Sequence, residues 1–375
     1  MSTSSSPLPL TDLRDQRLVS LDALRGFDMF WIMGAERIVH EAAKLTDWPW
    51  LDWLSDQLHH PEWHGFKFYD LIFPLFLFMA GASMPFSFDK RLARGDSKGR
   101  VALHVVIRGL VLVLLGAIYN GLLSFQWPDT RLPSVLGRIG LAYLFAGLIA
   151  LNTGWRGRLV WFAGLLIGYW AALKFVPVPG FGAGDLEPGH TLTDYIDRTL
   201  IPGKLYKEVR DPEGLFATIP AIGTALAGAM TGQFLKDSQR SGYFKTAAMA
   251  VVGAICLALA HFWDRDFPIN KNLWSSSFVL HCAGWSLLFL SLFYLVIDVW
   301  RLRRWAFFFV VIGMNSILIY MLPKFIDFKF MLERLLGGAL PHTGAYAPLL
   351  GAVAVLALKW LLLYFLYRKR VFLRV

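Results

Sequence analysis

The stretch His59-His60-Pro61-Glu62-Trp63-His64-Gly65-Phe66-Lys67-Phe68-Tyr69-Asp70 runs without interruption into Leu71-Ile72-Phe73-Pro74-Leu75-Phe76-Leu77-Phe78-Met79-Ala80-Gly81. A dense set of titratable groups thus stands against an apolar run long enough to enter a bilayer, with Asp70 at the boundary. Ionisable side chains at that depth are costly, and where they persist they line a bundle interior or a polar path. Pro61 bars a helix through His60 and Gly65 lets the backbone reverse, so the histidines belong to a turn. Helix is expected from about Phe66, which places Asp70 about one turn in.

Composition extends that reading to the whole chain. Of 375 residues, 56% are hydrophobic and only 17% charged, which argues against two or three soluble domains. Apolar windows lie near 19–37, 66–88, 101–122, 134–151, 158–176, 215–235, 245–263, 275–297, 305–322 and 348–366. They predict an all-α polytopic integral membrane protein, a bundle of about ten transmembrane helices. Met1 to Arg17 is polar, contains Pro7 and Pro9, and lacks a small-residue cleavage site after an apolar core. Residues 1–17 therefore read as a retained cytoplasmic tail and 18–375 as a single transmembrane domain. Cys256 and Cys282 both fall in apolar stretches and read as small core residues, not as a disulfide or a thiolate metal site.

The net charge of +10 has a topological explanation. With the N-terminus inside, Arg14 and Arg17, the cluster from Lys90 to Arg100, Arg156 and Arg158, Lys236, Arg240 and Lys245, Arg301, Arg303 and Arg304, and Arg368, Lys369, Arg370 and Arg374 all fall on the inner side. That is the bias of Lys and Arg toward cytoplasmic loops. No aromatic-basic groove pattern accompanies the charge, so nucleic acid is not an expected partner. The outer segments, Glu41 to Glu62, Pro177 to Gly214, Asp264 to Trp274 and Pro323 to Pro348, are longer and richer in Trp and acidic residues, and are the place to build a substrate site. Trp48 to Leu58, with Trp48, Trp50, Trp53 and Leu54, fits a short amphipathic helix on the membrane surface. No repeat of fixed period is present, and the density of Trp and Phe allows a homodimer seam.

Each polar motif carries two readings. In Leu21-Asp22-Ala23-Leu24-Arg25-Gly26-Phe27-Asp28, Asp22 and Arg25 are three apart and can pair on one helix face, whereas Glu36, near the outer end of the same span, is a functional candidate. His60 is the candidate base because an imidazole titrates near neutral pH; the plain alternative is that it caps or packs beside Trp63, and His59 and His64 compete for the role. The His-Pro-Glu-Trp-His run matches no helical zinc signature, so no metal is expected. Within Arg131-Leu132-Pro133-Ser134-Val135-Leu136-Gly137-Arg138, a buried Arg138 either grips an anionic group or pairs with a membrane carboxylate such as Asp70. Asp211-Pro212-Glu213-Gly214 and Pro268-Ile269-Asn270-Lys271-Asn272-Leu273-Trp274 each precede a span. N-capping alone would account for Asp211 or Asn272, while Glu213, Asn270 and Lys271 have hydrogen-bonding capacity beyond any cap and suit a sugar. Gly313-Met314-Asn315-Ser316 puts an amide and a hydroxyl inside the ninth span, as glue between helices or as contacts to a ligand threading the bundle.

Taken together, Ser20-Leu21-Asp22-Ala23-Leu24-Arg25-Gly26, His60 to Gly81, Arg131 to Arg138, Asp211 to Pro220, Pro268 to Trp274 and Gly313 to Ser316 resemble the heparan-α-glucosaminide N-acetyltransferase family, in the family's order and over nearly all of the chain. The resemblance implies transfer of acetyl from cytosolic acetyl-CoA to the amine of a glucosamine-type sugar on the far side of the membrane. It also implies the minimal bacterial form, in the inner (plasma) membrane with both termini cytoplasmic. The family's active-site histidine falls on His60 and its membrane aspartate on Asp70, while Glu36 stands where the family has an asparagine, a departure from the pattern. For such a reaction the acceptor contacts are expected from Glu213, Asn270, Lys271, Asn272 and Trp63. Acetyl-CoA, whose phosphates need positive charge, is expected to meet Arg25, Lys369 and Arg370, with Asn315, Ser316 and Arg138 lining its path. His60 would take a proton from the acceptor's ammonium and Asp70 would orient the ring. Direct attack in a ternary complex is preferred over an acetyl-histidine intermediate. The rival class is a transporter or flippase for a polar sugar or lipid-linked glycan, which broken helices in matching halves would favour and which the sequence does not display.

Overall fold

The computed structural model describes residues 18–126 and 129–373; the tail 1–17, with Arg14 and Arg17, and Arg374 lie outside them. The fold of the described residues is all-α, in keeping with the sequence reading. α1 (Val19–Phe30) passes through a π turn (Trp31–Ala35) into α2 (Glu36–Ala43), and a short α3 (Pro49–Gln57) follows. Four long helices come next: α4 (Ile72–Ala93), α5 (Lys98–Tyr119), α6 (Val135–Asn152) and α7 (Trp155–Phe175). After the short α8 (Leu192–Leu200) come α9 (Thr218–Leu235), α10 (Gly242–Asp264) and α11 (Ser276–Tyr294), then the pair α12 (Ala306–Gly313) and α13 (Ser316–Met321), α14 (Phe328–Leu336) and α15 (Ala347–Arg368).

Among the described residues, seven helical stretches are long and apolar enough to cross a membrane, and an eighth if α12 and α13, bent by 73°, form one span. The two other expected spans are helices as well, and their composition explains why they fall short of that measure. α1 holds Asp22, Arg25 and Asp28, and α9 is largely Gly, Ala and Thr. Both are interior helices: α9 packs on α4, α6, α7 and α11, and α1 on α12, α11 and α4. Lipid is as apolar as leucine, so helices inside a membrane associate through close packing of small residues instead. A methyl group on Gly228 would run into the Phe78 carbonyl, and one on Gly81 into that of Ala225. α7 and α10 are the opposite case, turning Val160, Ile167, Val251 and Leu259 outward as lipid-facing helices do.

Helix begins later than Phe66. A 3₁₀ turn (Phe68–Leu71) precedes α4 because Asp70 folds its carboxylate back onto the Lys67 N–H at 3.1 Å, as a capping box does. α3 lies where a surface helix was expected, with Trp48, Trp50 and Trp53 exposed and Leu51 and Leu58 buried.

Two spans are broken inside the bundle, contrary to the unbroken spans read from sequence. Gly34, at φ +127°, takes the first span out of helical register, and Lys359 of α15 donates to the Met33 carbonyl there at 2.6 Å. Asn315 interrupts the other, between α12 and α13. Its amide nitrogen donates to the Val371 carbonyl (3.0 Å) and its oxygen accepts from the Leu373 N–H (2.9 Å), so the chain beyond α15 folds back to this break. α13 packs on the π turn, and the two breaks are therefore neighbours. Backbone groups released in an apolar interior require such partners.

Candidate active site

Four segments meet at one end of the bundle: the approach to α4, the approach to α6, the long α7–α9 connection and the α10–α11 connection. Gly65, at φ +113°, makes the reversal its sequence context calls for, and its N–H donates to the Ile269 carbonyl at 2.8 Å. The Trp63 indole N–H donates to the Leu186 carbonyl at 2.9 Å and the ring carries the Arg210 guanidinium 4.3 Å above it. Arg131 grips Asp211 with two nitrogens, at 2.7 and 2.6 Å, and also binds Glu213. Burial opposes charge on Arg131, but its hydrogen bonds to Asp211 and the nearby Glu213 carboxylate raise its pKa above the ordinary arginine value.

At the centre of this arrangement the His60 Nδ1 lies 2.6 Å from Asp70 Oδ1. The Asp70 side chain is fully buried and that of His60 about half-exposed, at 49%. A carboxylate can only accept, so Nδ1 carries the hydrogen and Nε2 keeps the lone pair. The second Asp70 oxygen takes the Lys67 N–H. Lys271, from the α10–α11 connection, places its Nζ 3.4 Å from Asp70 Oδ1 and 3.3 Å from each ring nitrogen of His60. Burial lowers the Lys271 pKa, while the Asp70 and Glu213 carboxylates oppose that shift.

The competing histidines are engaged elsewhere. His59 sets Nδ1 on the Ser55 carbonyl at 2.8 Å and lies 4.3 Å from the His40 ring. His64 meets the Asn270 amide nitrogen at 3.2 Å, and burial holds its pKa below the usual histidine range. Asn270 is itself buried, its oxygen accepting from the Leu273 N–H at 3.0 Å, so its amide braces the loop. Asn272 is half-buried in the same turn and does not cap α11, a role that Ser275 takes by accepting from the Phe278 N–H. Asp211 caps no helix either, because its carboxylate is filled by Arg131 and the N–H groups of Tyr206 and Glu213. Arg138 does not pair with Asp70: it is buried over the Trp274 ring at 5.0 Å and donates to the Gly214 carbonyl at 3.2 Å.

Of the residues singled out from sequence, His60, Asp70 and Lys271 are in mutual contact, with Trp63, Asn270, Asn272 and Glu213 on the surrounding loops. Glu36 begins α2, past the first break, half-buried with one carboxylate oxygen lacking a hydrogen-bond partner. It and Asp28 lie within electrostatic reach of Tyr69, whose ring is 5.2 Å from that of His60. The remaining residues sit away from this end. Arg25 contacts Asp22 (3.3 Å) and Ser83 (2.8 Å), Asn315 and Ser316 flank the second break, and Lys369 and Arg370 are exposed just past α15.

Sequence reasoning passed over Asp197 on α8. It is fully buried, accepts from the Leu215 N–H at 2.8 Å, and packs so tightly on Gly214 that a methyl group there would strike its carboxylate. Burial pushes its pKa up to about 7. Its i, i+3 spacing from the equally buried Asp194, in an otherwise polar loop, was the available signal.

A family model described as "Domain of unknown function (DUF5009)" matches residues 17–138. The heparan-alpha-glucosaminide N-acetyltransferases of Homo sapiens and Mus musculus are each 29% identical to this chain, over 371 and 370 residues. Those matches cover 84% of this chain and 55% and 56% of the two relatives. The chain thus spans little more than half the length of the curated relatives it matches.

Proposed function

We propose that this chain, which resembles the heparan-alpha-glucosaminide N-acetyltransferases over most of its length, is a transmembrane N-acetyltransferase. It moves acetyl from acetyl-CoA, taken up at the cytosolic end of the bundle, to the amine of a glucosamine-type sugar at the opposite end. The observation that carries the reading is the His60–Asp70 pair: a half-exposed imidazole whose Nδ1 is held at 2.6 Å by a fully buried carboxylate. An acyl transfer to an amine needs the ammonium proton removed before the nitrogen lone pair can attack. Nε2 carries the lone pair that would take that proton, and Asp70 keeps the ring in the tautomer that allows it. Glu213, fixed by Arg131 and within electrostatic reach of Lys271, and the half-buried Asn272 would meet the acceptor.

The donor's route is read from the two neighbouring breaks. Asp28, Trp31 and Glu36 around the first leave buried polar atoms without partners, which gives a chain of amides groups to bind. Phe307 and Tyr367 pack at 5.6 Å, so the start of α12 lies beside the end of α15; the basic residues that flank these two ends in sequence, Arg303 and Arg304 and then Arg368 and Lys369, would meet the phosphates. The same breaks are the one observation that favours the rival transporter reading. Release of free CoA thiol by purified protein given acetyl-CoA and glucosamine separates the two, since transport liberates none. His60→Ala is expected to abolish that release while the protein still inserts and folds; near-normal turnover would remove His60 from the chemistry.

A further inference from the structure

The sequence reading gives Lys271 to the acceptor, but its surroundings point to another job. An ammonium 3.3 Å from both nitrogens of one imidazole cannot lie in the ring plane, because an equidistant in-plane approach would collide with the C–H between them. It therefore stands out of the plane of the His60 ring, on the side of its two nitrogens, anchored by Asp70 at 3.4 Å. A fixed cation there repels an acceptor ammonium, and so contributes little to holding the acceptor in its ground state. It attracts negative charge, and in acyl transfer negative charge develops only as the reaction proceeds.

We propose that Lys271 is a catalytic residue whose ammonium stabilises the oxyanion of the tetrahedral intermediate. The inference rests on the acyl-transfer reading. The acceptor nitrogen bonds to the acetyl carbon, and the carbonyl π pair moves onto oxygen beside Nζ. The ammonium proton that His60 removed beforehand has passed to solvent, so Nε2 is again able to take the second proton, which the nitrogen sheds after attack. The carbonyl then re-forms, the C–S bond breaks, and the departing thiolate is protonated from His60. Lys271 keeps its proton throughout. A donor aimed at the charge of the transition state raises kcat and leaves substrate affinity unchanged.

The test compares wild type, Lys271→Met and Lys271→Arg, as the purified full chain in lipid nanodiscs, with acetyl-CoA and glucosamine. Thiol release gives kcat and KM, thermal unfolding gives stability, and mass spectrometry reads residue 271. Lys271→Met should lower kcat by about 10²–10³ with the acceptor KM little changed, and Lys271→Arg should recover about tenfold or more. A raised acceptor KM at unchanged kcat would return Lys271 to acceptor binding. Equal loss in both variants together with a lower unfolding midpoint would make it a structural counter-ion of Asp70. Acetyl on Nζ after exposure of wild type to acetyl-CoA alone would make it a nucleophile. Absence of thiol release from wild type itself would refute the acyl-transfer reading, and Lys271's role with it.

Discussion

Asp70→Asn tests the centre of the proposed chemistry with almost no change of shape. Asp70 accepts from the Lys67 N–H at 3.1 Å, the His60 Nδ1–H at 2.6 Å and the nearby Lys271 ammonium. An asparagine must turn its NH₂ toward one side. If the NH₂ faces His60, Nδ1 becomes the acceptor and the ring proton moves to Nε2, which removes the base. If it faces the Lys67 N–H instead, donor is set against donor there, while the oxygen keeps both His60 and Lys271. His60 can meet an NH₂ by moving its ring proton to Nε2, and the Lys271 ammonium can shift on its flexible stem, whereas the Lys67 N–H is fixed backbone; the first arrangement therefore costs less, and the ring is held in the wrong tautomer. The corresponding change in serine proteases lowers kcat by about 10⁴, which corresponds to about 5.5 kcal/mol of barrier. Loss of charge-assisted hydrogen bonds also removes roughly 2–3 kcal/mol of stability, enough to lower the unfolding midpoint but not to prevent folding. The assay is CoA thiol release by the purified variant at saturating acetyl-CoA and glucosamine, with thermal unfolding run on the same sample. Turnover within about tenfold of wild type, in a protein that unfolds cooperatively, would show that Asp70 does not set the tautomer of the catalytic ring.

Two further outcomes follow from the loops around the site. Arg131→Ala strands the fully buried Asp211 carboxylate and should cost about 3–5 kcal/mol, seen as a lower thermal midpoint, and Asp211→Asn in the same chain should restore part of it. Asp197, ordinarily a carboxyl of pKa near 4 but pushed up to about 7 by burial, binds its proton more tightly in the folded state than in the unfolded one. Its contribution to stability is therefore full below about pH 4 and is lost as pH rises toward 7, so unfolding midpoints measured across that window should fall more steeply in wild type than in Asp197→Asn.

The site was legible where residue type and local backbone chemistry coincide. Pro61 and Gly65 mark the turn, a carboxylate ten residues on from a histidine can reach back across it, and the Pro268–Trp274 stretch signals a polar loop ahead of a helix. What the sequence could not show is which groups the fold has already committed. Asn270 looks like a ligand contact and is taken up by Leu273 and His64. Arg138 looks like a partner for Asp70 and instead stands over Trp274 and donates to the Gly214 carbonyl. Those partners are distant in sequence, and only packing brings them together. All ten windows are helices, but their apolar character is uneven. Hydropathy finds helices that face lipid, such as α7 and α10, more readily than helices that face other helices, such as α9 with its Gly, Ala and Thr.

The motifs at Leu21–Gly26 and Gly313–Ser316, each open from sequence to a structural or a ligand-binding reading, prove to be two sides of one helix crossing. A methyl on Gly26 would strike the Phe309 carbonyl, and one on Gly313 that of Asp22, so α1 and α12 touch backbone to backbone. A contact that close leaves no space for side chains at the crossing itself and sends the polar ones to its margins. Arg25 lies at one margin, against Ser83 of α4. Asn315 lies at the other, where α12 gives way to α13 and α13 meets the π turn of the first span. Both helix breaks lie beyond this seam, at Gly34 in the first span and Asn315 in the other. On the acyl-transfer reading proposed above, the polar groups collected there are the ones that the donor would meet inside the bundle.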